Sequence, residues 1–132
     1  MTEARRQAWR RGRWAELACA MHLRLRGYRI LAQRLRSPVG EIDILARRGA
    51  VLAIIEVKAR ADLTTAADAL TAHQQRRLIR AAGWLIAGRP GLAGAQIRFD
   101  AMLVAPWRIP RHVVDAWRVD PQWLNSSDRV AR

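Results

Sequence analysis

Of the chain's 24 basic residues one alone is a lysine, Lys58, and the rest are arginines. It stands two places after Glu56 in the apolar run Ala53-Ile54-Ile55-Glu56-Val57-Lys58, which follows Gly40-Glu41-Ile42-Asp43-Ile44-Leu45. Arginine is a planar fork that stays charged, whereas lysine is a compact point charge whose pKa moves on burial. Keeping an ammonium at this one place points to chemistry at Lys58 rather than to general basicity. Residues 41–47 and 50–58 are rich in Ile, Leu and Val and flank Arg48-Gly49, which predicts a hairpin. With 47 opposite 50, residue 43 faces 54 and 41 faces 56. Alternation then sends Glu41, Asp43, Glu56 and Lys58 to one face, together with Leu52 and Ile54. A one-residue slip would part Asp43 from Glu56. Three carboxylates and an ammonium on a half-apolar face are unfavourable unless paired or bound to metal. A cross-strand salt bridge explains the pairing but not three acids for one lysine.

The elements that must position these groups follow from the flanking pattern. Residues 1–11 carry four arginines and only Glu3 as an acid, which predicts a mobile basic arm. From Gly12 to Arg26 the pattern is helical, with Trp14, Leu17, Ala18, Met21 and Leu25 on one face and Gly27 as the stop. Glu16, Ala20 and Leu23 make a second stripe roughly opposite. There Glu16 either points into a site or sits near the helix start, where an acid suits the dipole. Tyr28 to Leu35 reads as a strand and Ser37-Pro38-Val39-Gly40 as the turn into the hairpin. Residues 59–70 read as a mobile loop.

Thr71-Ala72-His73-Gln74 matches a capping box, which gives Gln74 a capping role and starts a helix that runs to Ala87. Leu78, Ala82, Leu85 and Ile86 supply its buried face. Arg76, Arg77 and Arg80 supply a basic flank, either solvated or facing phosphate. Ala95 to Val104 is a further strand, and 113–119 an edge strand. Residues 12–119 form the domain and 120–132 a flexible tail. Trp14 and Trp84 fall on helical apolar stripes and read as core. For Trp107, Trp117 and Trp123 packing is favoured over base stacking or a partner surface.

A length of 132 residues suits one domain, and 51% hydrophobic with 27% charged residues is the balance of a soluble globular protein. The net charge of +13 makes an anionic polymer the first partner to consider, although arginine is used heavily throughout. Cys19 is the single cysteine, which excludes an intrachain disulfide and a zinc ribbon and suits a core position. His22, His73 and His112 share no metal-ligand spacing. No long apolar run and no signal-peptide core are present, so a cytoplasmic location and no membrane partner are expected. Phosphate-binding glycine loops and nucleophile elbows are absent.

Six blocks in series, Gly12-Arg13-Trp14-Ala15-Glu16, Gly27-Tyr28-Arg29-Ile30-Leu31, Gly40-Glu41-Ile42-Asp43, Glu56-Val57-Lys58, Gln75-Arg76-Arg77-Leu78 and Arg98-Phe99-Asp100, resemble the YraN-like family. These are small bacterial proteins related to Holliday-junction resolvases and to endonucleases of the PD-(D/E)XK type. The resemblance covers residues 10–119. It implies an α/β domain with a restriction-endonuclease-like mixed β-sheet flanked by helices, in the order α-β-β-β-α-β-β. It further implies a nuclease that hydrolyses phosphodiester bonds in DNA, branched or structured DNA included, with a homodimer as a possible state. A non-catalytic nucleic-acid-binding module on the same fold is the alternative. Glu16, Asp43 and Glu56 would hold Mg2+ or Mn2+, while Lys58 and the helix position of Gln74 would serve catalysis. Hard oxygen ligands suit magnesium. Arg10, Arg11, Arg13, Arg76, Arg77 and Arg80 are the candidate phosphate contacts. The family usually has glycine where this chain has Ala15 and lysine where it has Gln74.

Overall fold

The computed structural model describes residues 2–118, and of residues 8–11 the backbone alone. Three consecutive antiparallel strands carry the motif: β1 (Arg29–Ser37), β2 (Gly40–Arg48) and β3 (Val51–Ala59). Ser37 closes the first turn: its hydroxyl accepts the Gly40 N–H at 3.1 Å and donates to the Gly40 carbonyl at 2.6 Å. Glycine suits position 40 because its φ is +149°, a conformation that side chains rarely adopt. After β3 the chain crosses over through α2 (Leu63–Asp68) and α3 (Ala72–Gly88) to β4 (Gln96–Val104), which pairs with β3 in parallel. The edge strand β5 (Arg111–Trp117) returns antiparallel to β4. The sheet order is β1-β2-β3-β4-β5, the mixed sheet flanked by helices that was expected and one compatible with a restriction-endonuclease-like fold. No helix among the described residues is long and apolar enough to cross a membrane.

Each sheet face has its own apolar core. Helix α1 (Glu3–Leu25) lays Cys19 and Leu23 on Ile44, Ala46, Ala53 and Ile55. Helix α3 lays Leu78, Ala81, Ala82 and Leu85 on the other face, against Ile42, Leu45, Leu52 and Ile54. At the end of α1, Gly27 takes φ +86°, the Tyr28 N–H donates to the Leu23 carbonyl and the Gly27 N–H to that of Arg24. This is the double hydrogen-bonded stop that a glycine after the last turn permits, and Tyr28 packs in the same core as Leu23.

Several expectations need correction. The helix expected from Gly12 begins at Glu3, capped by the Thr2 hydroxyl, which accepts the Arg5 N–H at 3.2 Å, so residue 11 is not a structural boundary. Its buried stripe is the other one. Ala15, Cys19, Ala20 and Leu23 face the sheet, whereas Trp14, Leu17, Met21 and Leu25 are exposed. The larger side chains form the stronger hydrophobic pattern, but the small ones let the helix lie close to the strands. Trp84 is likewise exposed rather than core.

The segment 59–70 holds a short helix, α2, whose N-cap Asp62 accepts the Thr65 N–H at 2.7 Å. Six residues with two β-branched threonines give too weak a helical pattern to read. Strand β5 starts and ends two residues before its expected limits. Trp123 and the expected tail 120–132 lie outside the described residues.

Candidate active site

The hairpin turn falls one residue later than expected, which shifts the pairing by two residues. Arg48 pairs with Val51, and the ladder runs from there to Ile44↔Ile55, leaving Gly49-Ala50 as the loop and Gly49 at φ +60°. A shift of two residues does not by itself exchange the faces, and Asp43 and Glu56 still line one cavity. Alternation is broken within β2, where Ile42 shares a core with Leu45 and Glu41 turns to another cleft. Beyond Ile44 the Asp43 carboxylate, rather than a main-chain carbonyl, receives the Val57 N–H, at 2.8 Å. Asp43 and Glu56 line the same cavity and are close enough for each carboxylate to disfavour charge on the other. Lys58 Nζ lies 3.2 Å from Glu56 Oε1, and both side chains are largely buried, 12% and 13% exposed. These three groups, with Glu16 from α1, line a cavity of about 460 Å3 at one end of the sheet.

Glu16 therefore belongs to the site and not to a helix start, being 13 residues into α1. Its carboxylate is held by Arg34 of β1, with Nε 2.7 Å from Oε2. No group of three or more His, Cys, Asp or Glu converges as a ready metal cage among the described residues. Asp43 and Glu56 form a close pair, and Glu16 stands apart on the same cavity wall.

Gln74 reaches the site from the other side. The Thr71 hydroxyl accepts the Gln74 N–H at 3.3 Å, so half of the expected capping box is present. The amide of Gln74 does not complete it. Its Oε1 is buried with no hydrogen-bond partner among the described residues, and the residue lines a small cleft with Glu41, Glu56 and Arg77. A buried acceptor of this kind needs a donor from outside the protein, water or ligand. Of the expected phosphate contacts, Arg76 and Arg77 are exposed on the first turns of α3, Arg80 is half-buried and Arg13 is exposed on α1. The side chains of Arg10 and Arg11 lie outside the described residues.

The electrostatics mark Asp43. Burial pushes its carboxyl up to about 7, the neighbouring Glu56 pushes the same way, and the Val57 N–H only partly offsets them. Cys19, in the core under α1, has its thiol raised to about 12, chiefly by burial and then by Asp43 and Glu16. It is a packed, unreactive thiol.

A family model described as "Uncharacterised protein family UPF0102" matches residues 15–104. The chain belongs to that family. The UPF0102 protein amb4503 of Paramagnetospirillum magneticum is 50% identical over 123 residues, covering 90% of this chain and 95% of its own. The UPF0102 protein bll0669 of Bradyrhizobium diazoefficiens is 55% identical over 111 residues, 83% of each chain. A UPF0102 protein of Parvibaculum lavamentivorans is 51% identical over 111 residues, 84% of each chain. The stretch matched by the UPF0102 model includes Glu16, Asp43, Glu56, Lys58 and Gln74 and stops at Val104, before β5.

Sequence reading of this UPF0102 chain missed Arg34, Arg60 and the outward turn of Trp14. Arg34 carries no local signal, because its partner Glu16 lies 18 residues away on another element. The state of Asp43 has a measurable consequence. A carboxyl whose folded pKa is raised binds a proton that the unfolded chain has already lost. Stability from this group is thus present at low pH and lost as pH rises from about 4 to about 7. In chelator, the melting temperature is expected to fall across that window, and Asp43→Asn should flatten the fall. Melting curves at stepped pH check this, and an equal fall in the variant would contradict it.

Proposed function

We propose that this UPF0102 chain is a metal-dependent nuclease of the PD-(D/E)XK type that hydrolyses phosphodiester bonds in DNA, branched or otherwise structured DNA included. The observation that carries this reading is the pairing of Asp43 with Glu56 at the end of the β2–β3 ladder, with Lys58 3.2 Å from Glu56, in a chain of net charge +13. Two crowded carboxylates, one of which holds its proton to about pH 7, are a donor set that a hard divalent cation satisfies. Magnesium is commonly bound by one or two carboxylates, several waters and substrate phosphate, so a third acid is not needed in direct contact. Magnesium or manganese would supply positive charge at the scissile phosphate and a more acidic water.

The chain's own residues would do the rest. Asp43 and Glu56 would hold the cation. The Lys58 ammonium, paired with Glu56, would stabilise the charge that develops on the phosphoryl oxygens. The bare Oε1 of Gln74 can accept a hydrogen bond from a water and so orient it. Glu16, aligned by Arg34, can accept from waters in the same cavity. Arg76, Arg77 and Arg80 offer the adjoining helix face to flanking phosphates.

Lys58→Ala separates binding from chemistry. Its single-turnover cleavage rate is expected to fall by roughly 100- to 1,000-fold, the usual effect of removing one transition-state donor, with metal affinity little changed. A variant that cuts at the wild-type rate would remove Lys58 from the chemistry. One specific observation favours a second reading, a non-catalytic nucleic-acid-binding module: the Lys58–Glu56 ion pair already balances part of the site's charge without a cation. That reading expects no cutting and an affinity for nucleic acid that is indifferent to magnesium.

A further inference from the structure

Beside the acidic cavity lies an apolar one of about 630 Å3, walled by Trp14 of α1 and by Trp107 in the turn after β4. The two cavities share Ala15, Ala59 and Arg60. Trp14 is 72% exposed, and Trp107 stands fully clear of the protein. Trp107 also adopts φ +63°, a left-handed backbone that bulky residues rarely accept. Neither indole contributes to the two cores. What they do provide is two flat apolar faces with a guanidinium between the slot and the acidic pocket.

Resting on the nuclease reading above, we infer that this slot stacks an unpaired base of the strand whose phosphate enters the Asp43–Glu56 pocket. A nucleotide carries a flat aromatic base and an anionic phosphate on one short unit. The slot and Arg60 present the complementary pair, indole for base and cation for phosphate, in a chain of net charge +13. The shared wall makes slot and pocket one continuous path, so a strand held at one is delivered to the other. A fully paired base offers no free face to stack. The substrate class is accordingly a nucleic acid with an unpaired nucleotide beside the cut site, such as a flap, a gap or an open branch point. A second copy of this chain, covering the slot together with the exposed Leu17, Met21 and Leu25 of α1, is the competing occupant.

Binding in chelator tests the slot without requiring cleavage. Fluorescence anisotropy would compare a labelled single strand, a flapped duplex and a blunt duplex against wild type, Trp14→Ala, Trp107→Ala and Trp107→Phe. Trp107 is fully exposed, so its replacement leaves the fold intact, which circular dichroism and the blunt-duplex affinity confirm. Each alanine variant should lose roughly 5- to 150-fold in affinity for the unpaired substrates and little for the blunt duplex. Trp107→Phe should recover most of the loss. One abasic nucleotide at the stacked position should weaken wild type by a similar factor and leave Trp107→Ala unaffected. Equal losses on paired and unpaired substrates, no loss on any, or no binding by wild type would overturn the proposal. So would a fall in sedimentation mass from dimer to monomer that accounts for the change in affinity. A wild type that binds in the expected pattern yet cuts nothing would sink the nuclease reading and leave the slot standing. A wild type that cuts, with tryptophan variants that bind normally, would do the reverse.

Discussion

Asp43→Asn is expected to abolish metal-dependent cutting while keeping the fold and the affinity for nucleic acid in chelator. Asparagine matches the shape of aspartate, and its amide oxygen can still accept the Val57 N–H that ends the β2–β3 ladder. What disappears is the charge. A cation that contributes several kcal/mol to the transition state would be lost with it, which is at least about 1,000-fold in rate. Stability should move the other way. In chelator at pH 8 the wild type must ionise a carboxyl that burial and Glu56 both disfavour, so the variant should melt at an equal or higher temperature. A variant that unfolds, or that cuts at more than a few per cent of the wild-type rate, would deny Asp43 this role. Melting curves and single-turnover cleavage on the same preparation decide between these outcomes.

The largest expected loss of stability lies elsewhere, at Asp100, the one charged side chain wholly buried among the described residues. Its two oxygens accept from Arg98 at 2.8 Å each, from His112 Nε2 at 2.8 Å and from the Asp115 N–H at 2.9 Å. Arg98 also donates to the Tyr28 hydroxyl. Asp100 and Arg98 belong to β4 and His112 and Asp115 to β5, so this cluster fastens the edge strand. Asp100→Ala leaves the Arg98 guanidinium, 14% exposed, without its counter-charge. Removing one partner of a buried ion pair costs roughly 3–5 kcal/mol, a large share of a domain's usual stability. Urea unfolding measures it, and a loss under about 1 kcal/mol would show the cluster to be incidental.

The pH sign here is opposite to that of Asp43. Although burial alone would raise it, the Asp100 carboxyl is held down at about 2 by His112, Arg98 and the Asp115 N–H. Its contribution is present above about pH 4 and lost as pH falls towards 2, an effect on the order of 2–3 kcal/mol.

Much of this was legible because the informative signals were local. The strand order around the hairpin, the start of α3 and the common cavity of Asp43, Glu56 and Lys58 follow from periodicity and turn residues within a few positions. The meeting of Asp43, Glu56 and Lys58 survived a register error of two residues, but Glu41, expected beside them, lines the cleft of Gln74 instead. Where the reading failed, the deciding interaction lay between elements. Trp14, Leu17, Met21 and Leu25 form the more hydrophobic stripe of α1, yet the sheet takes the stripe of Ala15, Cys19, Ala20 and Leu23. Periodicity reports that a helix has two apolar stripes but not which one the strands accept. Gln74 shows the same limit. Its place three residues after Thr71 fits a cap, and only the packing of α3 on the sheet puts the residue in a cleft with Glu41 and Glu56. The block Arg98-Phe99-Asp100 had no role in the sequence, since its partners Tyr28 and His112 come from 70 and 12 residues away.

The most direct test of the site is cleavage by purified wild-type protein. A labelled four-way junction, a flapped duplex, a linear duplex and a single strand would each be incubated with magnesium, with manganese and with chelator. The expected result is cutting of at least one unpaired or branched substrate in either metal and none in chelator, with Asp43→Asn inactive throughout. The contradicting result is intact substrate in every lane, with nucleic acid bound equally tightly by wild type and Asp43→Asn whether or not metal is present.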